Sequence, residues 1–264
     1  MSDAVTHGGA LWVIGLGPGE PHLLTPRARE ALDAAERLYG YGPYLTRVVD
    51  EHDPRRMASD NREEGARARQ ALTDAAAGAR VAMVSGGDPG VFAMAAAVCE
   101  QIERGPVHWR ALEVQMIPGI SAMFAVAAAC GAPLGHDFCA ISLSDNLKPW
   151  ALIERRLQAA AEAGFVMALY NPISASRPWQ LGRAFELLRE TLTGETVVIF
   201  GRAAGRADEH MRITTLAEAR AEWADMATLV MIGSEQTRVI ERPEQPPLVY
   251  SPRFAPGCDP EVSA

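Results

Sequence analysis

Residues 84–95 read Val-Ser-Gly-Gly-Asp-Pro-Gly-Val-Phe-Ala-Met-Ala. The apolar run Val81-Ala82-Met83-Val84 predicts a buried strand, and Ser85-Gly86-Gly87-Asp88-Pro89-Gly90 ends it. An Ala-rich helical pattern follows. A strand, a glycine loop and a helix in succession put bare backbone at the carboxyl edge of a sheet, where open α/β sheets bind ligands. A second loop of this kind, Gly15-Leu16-Gly17-Pro18-Gly19, follows the strand-like Leu11-Trp12-Val13-Ile14. Its spacing is G-x-G-x-G, not the G-x-G-x-x-G of dinucleotide folds. Pro18 has no amide hydrogen to offer a phosphate. Such a loop fits a flat or uncharged part of a ligand at least as well as a pyrophosphate, and Asp88 offers a carboxylate beside it. Asp88 could equally close an Asx-turn within its own loop.

Other predicted strand ends carry further polar chemistry. Tyr39-Gly40-Tyr41-Gly42-Pro43-Tyr44 reads as an aromatic loop or a packed turn. Pro118-Gly119-Ile120-Ser121-Ala122 precedes a helix of small residues whose first amides would be free. Ser142-Leu143-Ser144-Asp145-Asn146-Leu147-Lys148 follows another strand, and Asp145 is placed to cap the next helix. Tyr170-Asn171-Pro172-Ile173-Ser174-Ala175-Ser176-Arg177 runs from a buried strand into an amide, hydroxyls and an arginine. Arg202 and Arg206 flank glycine and precede Asp208 and Glu209. They read either as surface salt bridges or as a carboxylate-binding pair. The histidines are scattered. His136, entering the strand at Phe138, is the one placed to act as an acid or base. No nucleophile elbow, phosphate-binding lysine loop or zinc-protease motif occurs, and no metal site is expected.

These loops need a scaffold, and the pattern between them supplies one. Strand-like segments fall near 10–16, 36–40, 80–85, 112–117, 137–142, 165–170, 196–200, 211–214 and 227–232. Helical patterns fall near 25–35, 62–77, 90–103, 121–130, 151–162, 178–192 and 216–222. Thr25 and Pro26 form an N-cap and first-position pair. Such alternation predicts α/β layers. The 264 residues, 48% of them hydrophobic, suit two domains with sheets of four or five strands each, flanked by helices. The expected division is 1–117, 118–241 and a loosely held Pro-rich tail, 242–264. The charge-dense stretch Asp60 to Arg69 reads as a solvated helix face.

The net charge of −8 argues against nucleic acid, which needs a basic stripe. An anionic small molecule would require basic residues gathered locally. The longest apolar runs fall short of the ~20 residues of a membrane span, and residues 1–10 lack a signal-peptide pattern. Cys99, Cys130, Cys139 and Cys258 show no metal spacing. Three of them read as reduced core thiols, and a cytoplasmic location is expected.

Taken together, Gly15-Leu16-Gly17-Pro18-Gly19, Gly86-Gly87-Asp88-Pro89, Pro118-Gly119-Ile120-Ser121-Ala122 and Leu169-Tyr170-Asn171-Pro172 resemble the tetrapyrrole (corrin/porphyrin) methyltransferase family over roughly residues 10–235. Residues 85–95, His136–Asp145 and Tyr170–Arg177 resemble the branch that methylates carbon 17 of precorrin-3B and contracts the ring to precorrin-4, in cobalamin biosynthesis. Gly86, where that branch commonly has serine, is a departure shared with uroporphyrinogen methyltransferases. The resemblance implies two α/β domains with S-adenosyl-L-methionine in the cleft between them, S-adenosyl-L-homocysteine as product, and a homodimer. Carried over by motif, the cofactor would touch Pro18, Gly86, Gly87, Asp88, Val91, Ser121, Ala122, Asn171 and Ala203. Tyr41, Lys148, Arg177, Arg202 and Arg206 would meet the carboxylates of an anionic tetrapyrrole. Ring contraction implies a general base, for which His136 and Asp145 are the candidates. The alternatives are a family member acting on a cobalt-containing intermediate or another ring position, a nicotinamide-dependent oxidoreductase, and a non-catalytic tetrapyrrole carrier.

Overall fold

The computed structural model describes residues 8–60, 63–174, 176–255 and 257–258. Ala175, residues 61–62 of the charge-dense stretch, most of the N-terminal segment and the last residues of the tail lie outside that set. The chain divides into two compact units, Met1–Ser121 and Ala122–Ala264.

Unit 1 contains β1 (Ala10–Gly15), α1 (Pro26–Ala34), β2 (Arg37–Tyr41), α2 (Gly42–Leu45), β3 (Arg56–Ser59), α3 (Glu64–Ala76), β4 (Arg80–Ser85), α4 (Met94–Arg104) and β5 (Glu113–Ile117). Its five strands pair in the order β3-β2-β4-β1-β5, all parallel. Parallel strands need helical crossovers, so both sheet faces are covered. Strand alternation sorts the side chains accordingly. Leu11, Val13, Val81 and Met83 pack with α3 and α4. Ile14, Ala82 and Val84 pack on the opposite face with Ala28, Ala31 and Leu32 of α1. Thr25 caps α1 as expected, its Oγ1 accepting from Ala28 N at 3.2 Å with Pro26 next in the chain.

Unit 2 contains α5 (Ala122–Cys130), β6 (Gly131–Ala132), β7 (Phe138–Ser142), α6 (Trp150–Glu162), β8 (Val166–Tyr170), α7 (Gln180–Arg189), β9 (Val197–Arg202), β10 (His210–Thr215), β11 (Thr228–Ile232), β12 (Arg238–Arg242) and β13 (Gln245–Tyr250). The main sheet has the order β10-β9-β11-β8-β7. Only β7 and β8 pair in parallel. The other three pairings are antiparallel, so the carboxyl ends of β7, β8 and β9 share one edge. Met167 and Leu169 face α6 and α7. Val166 and Ala168 face α5. That helix lies close to the sheet because Gly201 has no Cβ, which would fall 2.3 Å from Val126 Cγ2.

Four sequence expectations are corrected. The tail is not loose over its first part. Gln245–Tyr250 forms β13, paired with β12 and with β6, and Val249 is fully buried. Ser251 Oγ then donates to Pro133 O at 2.7 Å. Pro246 and Pro247 come before Val249 and Tyr250, the residues at which β13 pairs with β6. The helix expected at 216–222 is replaced by turns and one 3-10 turn at Ala221–Trp223. There Leu216 N and Ala217 N donate to Thr196 O and Gly194 O, which takes them out of a helical ladder. Asp60 to Arg69 is not wholly a solvated face. Arg67 is buried, giving hydrogen bonds to Ser59 Oγ and Asp60 O. Cys99 is exposed rather than a core thiol.

Candidate active site

In unit 1 the loops after β4, β1 and β5 stand side by side, because those strands are neighbours. They are joined through backbone. Gly17 N donates to Gly87 O at 3.1 Å and Gly87 N returns a bond to Gly17 O at 2.9 Å. Leu16 N donates to Ser85 O at 2.8 Å. Both Gly17 and Gly87 have positive φ, 67° and 66°, which glycine adopts without steric cost. A Cβ on Gly119 would lie 2.3 Å from Gly87 O, and one on Gly15 would lie 2.6 Å from the same oxygen. These glycines therefore serve the packing of loop upon loop. Gly86 has a different reason, since its Cβ would strike the Tyr44 ring at 2.9 Å.

Asp88 ties the arrangement together. Its Oδ1 accepts from Gly90 N at 2.8 Å, closing the Asx-turn, and its Oδ2 accepts from Gly119 N at 3.1 Å. The carboxylate stays half-buried. No lysine or arginine occurs in residues 15–19, 85–91 or 117–121. Arg47 reaches the first loop through its carbonyls, donating to Leu16 O and Gly17 O. Pro18 and Ser121 are buried, and Val91 is half-buried. Tyr41 ends β2, half-buried and edge-on to Tyr44 at 5.6 Å. The expected cofactor residues of unit 1 thus gather at one sheet edge that is short of cations and holds one carboxylate. These residues fit a sulfonium ligand. A pyrophosphate would find no lysine or arginine within the three loops and no amide hydrogen at Pro18.

In unit 2 the carboxyl edge is built from side chains. Asn171, with φ 51°, follows β8, and its Nδ2 donates to Ser142 Oγ at 3.0 Å. Ser142 Oγ also accepts from Ser144 N. Ala203, buried with φ 50°, follows β9 and donates its N–H to Ala227 O. Left-handed backbone at two non-glycine residues on one edge is strain of the kind that collects at functional sites. Tyr170 Oη accepts from Met123 N at 3.1 Å, taking up an amide in the first turn of α5, directly after Ala122.

Asp145 does not cap the following helix. Pro149 precedes α6 without a side-chain cap, and both Asp145 oxygens accept instead from Gln180 Nε2 at 3.3 Å. Gln180 was missed in the sequence, where a glutamine in a helical pattern gives no sign of burial; it is 1% exposed. Trp150, also missed, packs edge-on against Trp179 at 4.8 Å. Arg177 is half-buried in a tight turn, exchanging backbone hydrogen bonds with Ser174. Its Nε and Nη1, Trp150 Nε1 and Gln180 Oε1 are buried without hydrogen-bond partners. Each such atom costs about 1–3 kcal/mol. Burial, together with repulsion from Arg156, holds the Lys148 ammonium below its ordinary pKa.

Two expected residues are not placed for their roles. His136 lies before the amino end of β7, where Phe138 pairs with Val166, while Ser142 and Asn171 lie at the carboxyl end. A five-residue strand separates these levels by roughly 15 Å. His136 Nδ1 accepts from Asp137 N at 2.7 Å. Arg202 is taken by carboxylates, its Nε donating to Asp225 at 2.7 Å and its Nη1 to Asp208 at 2.8 Å. The salt-bridge reading therefore holds for Arg202. Burial raises the Asp225 pKa, but hydrogen bonds from Thr228, Arg202 and the Ala227 amide outweigh it and hold the carboxyl low. Arg206 is exposed on the same loop.

Comparison with known proteins places this geometry in a family. Residues 10–220 match the tetrapyrrole (corrin/porphyrin) methylases, and the chain belongs to that family. It is 64% identical over 250 residues to the precorrin-3B C(17)-methyltransferase of a Sinorhizobium species, covering 95% of this chain and 98% of that one. It is 40% identical over 231 residues to the cobalt-factor III methyltransferase of Priestia megaterium, covering 87% of this chain and 43% of that longer protein. The crystal structure of the methyltransferase CobJ superimposes with a TM-score of 0.86 at 46% identity, over 92% of this chain and all of that one.

Proposed function

We propose that this protein transfers a methyl group from S-adenosyl-L-methionine to carbon 17 of precorrin-3B, with contraction of the ring to precorrin-4, in cobalamin biosynthesis. The observation that carries the reading is 64% identity to a precorrin-3B C(17)-methyltransferase along nearly the full length of both chains. The cation-poor loop edge of unit 1, with its single carboxylate, supports the cofactor assignment.

Pro18, Gly86, Gly87, Asp88, Val91, Ser121 and Ala122 would hold the cofactor, with Asn171 and Ala203 completing its contacts. When bound, the sulfonium supplies an electrophilic methyl group. The enzyme needs no nucleophile for its transfer. It must hold the acceptor carbon close and in line, which can contribute about 7–11 kcal/mol. Loops fixed by mutual backbone bonds are suited to this, because they need little ordering on binding. The Asp88 carboxyl group, accepting from two backbone amides, stands at the loop edge. Arg177 and Lys148, with Tyr41 and Arg206, would receive the macrocycle's carboxylates, and Asp145 would accept a proton from the substrate. His136 and Arg202 are left out for the reasons of position and pairing given above. The functional form is taken to be a cytoplasmic homodimer. Among the described residues no helix is long and apolar enough to cross a membrane.

The test is incubation with precorrin-3B and methyl-labelled S-adenosyl-L-methionine, followed by mass spectrometry and absorbance. A product one labelled methyl heavier, with the spectrum of a contracted ring, is expected. Transfer seen only with a cobalt-containing substrate would reassign the substrate, and binding without transfer would revive the carrier.

A further inference from the structure

The loops following β7 and β8 concentrate an unusual defect. Trp150 Nε1, Arg177 Nε and Nη1, and Gln180 Oε1 are all buried and unpartnered. No other described side chain of unit 2 leaves a buried polar atom in that state. Trp150 and Gln180 open α6 and α7, which pack in one core, and Arg177 stands three residues before Gln180 in the chain. Trp150 meets Trp179, which lies between Arg177 and Gln180 in sequence, at a centroid separation of 4.8 Å. Gln180 is tied across to Asp145 in the same loop as Lys148. A carboxylate only accepts, so Gln180 must turn its NH2 toward Asp145 and its oxygen away. The patch therefore holds donors at Trp150 and Arg177 and an acceptor at Gln180, all withdrawn from water.

Buried polar groups in folded proteins are almost always paired, and a cluster of exceptions calls for a missing partner. A simple inorganic anion would satisfy the donors and leave the Gln180 oxygen unmatched. The complement is an organic edge that offers an acceptor and a donor together.

We propose that Trp150, Arg177 and Gln180 form one receptor for an edge of the tetrapyrrole. The indole and guanidinium donate to a side-arm carboxylate, and Gln180 Oε1 accepts from a ring N–H or hydroxyl. This rests on the substrate class proposed above and adds Trp150 and Gln180 as specificity-determining residues. Trp179 supports the receptor by fixing the indole, and Asp145 does so by fixing the amide.

The experiment uses the full chain with precorrin-3B and S-adenosyl-L-methionine. Trp150→Phe removes one N–H and keeps the ring against Trp179. Gln180→Met removes the amide at similar length. Each variant should raise KM for the tetrapyrrole about 10-fold, with cofactor affinity by calorimetry unchanged. Trp150→Phe combined with Arg177→Met should cost less than the product of the two single effects, because both residues serve the same carboxylate. Substrate esterified at its carboxylates should discriminate wild type from that double variant. Unchanged KM in both single variants, with a lowered melting temperature, would overturn the receptor and leave a structural patch. Absence of turnover by the wild-type protein would instead overturn the substrate assignment itself, so the two failures are distinguishable.

Discussion

The carboxyl edges of the two main sheets are built by different means. In unit 1, three loops are joined by backbone hydrogen bonds and closed with glycines, and the one prominent side chain, Asp88, has both oxygens occupied by amides. In unit 2, the loops are joined by side chains, with Asn171 on Ser142 and Gln180 on Asp145, and Trp150, Arg177 and Gln180 leave buried polar atoms over, as Arg56 Nε does in unit 1. A backbone-built edge is finished before a ligand arrives and tolerates little change of shape. A side-chain-built edge with unmatched donors is completed by what it binds. The first suits a cofactor common to a whole family, and the second suits the part of a substrate that distinguishes one enzyme from another.

The sharpest challenge to this contrast is Gly119→Ala. The new methyl group would lie 2.3 Å from the Gly87 carbonyl oxygen and 2.8 Å from Gly15 backbone atoms, and neither neighbour is a flexible side-chain end. We expect a loss of about 3 kcal/mol, the upper part of the range for overpacking, together with loss of S-adenosyl-L-methionine binding. Chemical denaturation and calorimetry would measure both. A stability loss within 0.5 kcal/mol would mean that the loops yield and that the edge is not preformed.

Asp88 comes next. Asp88→Ala leaves the Gly90 and Gly119 amides without their acceptor and should cost about 1–3 kcal/mol. Asp88→Asn keeps one side-chain oxygen and loses the charge. If the carboxylate serves only the turn, the asparagine variant should bind S-adenosyl-L-methionine nearly as well as wild type. If its charge matters to the sulfonium, affinity should fall while most of the stability survives.

How far the sequence revealed these edges follows from the same contrast. Loops made by glycine and proline are legible, because those residues are used where backbone geometry demands them. The loops of unit 1 could therefore be picked out from type and spacing, whereas the cofactor contacts assigned to them came from the family resemblance. The alternation of strands and helices was legible too, since buried parallel strands read as apolar runs. Pairings between distant side chains were not. A glutamine at a helix start looks solvent-facing until Asp145 is seen beneath it, and Arg202 looks available until Asp208 and Asp225 take it. His136 sits beside the right strand at the wrong end, a distinction carried by chain direction and not by composition. The hairpin of β12 and β13 was hidden by its prolines, and Arg67 by the acidic company it keeps in sequence.

A smaller effect is expected from Ser142→Ala. It removes the acceptor used by Asn171 Nδ2 and Ser144 N, at a cost of about 1 kcal/mol. The Asn171 amide is exposed and can turn to water, so the stability change should be well below that of Gly119→Ala. Because Asn171 is proposed to complete the cofactor's contacts, S-adenosyl-L-methionine affinity should fall modestly and the tetrapyrrole KM should change less. Equal responses in both, measured by steady-state kinetics and calorimetry, would count against that contact.

The mildest probe reads Lys148, the chain's sole lysine. Burial and Arg156 press its ammonium below the ordinary value of 10.5. Reductive methylation with labelled formaldehyde would give one lysine signal by nuclear magnetic resonance, distinct from the terminal amine. That signal should titrate below a free lysine analogue measured alongside. A tetrapyrrole carboxylate brought against the ammonium would favour its charged form, so bound substrate should move the titration upward. S-adenosyl-L-methionine, itself a cation, should not raise it. An upward shift with the cofactor alone, or none with the tetrapyrrole, would show that Lys148 does not face the substrate and would leave substrate recognition to Trp150, Arg177 and Gln180.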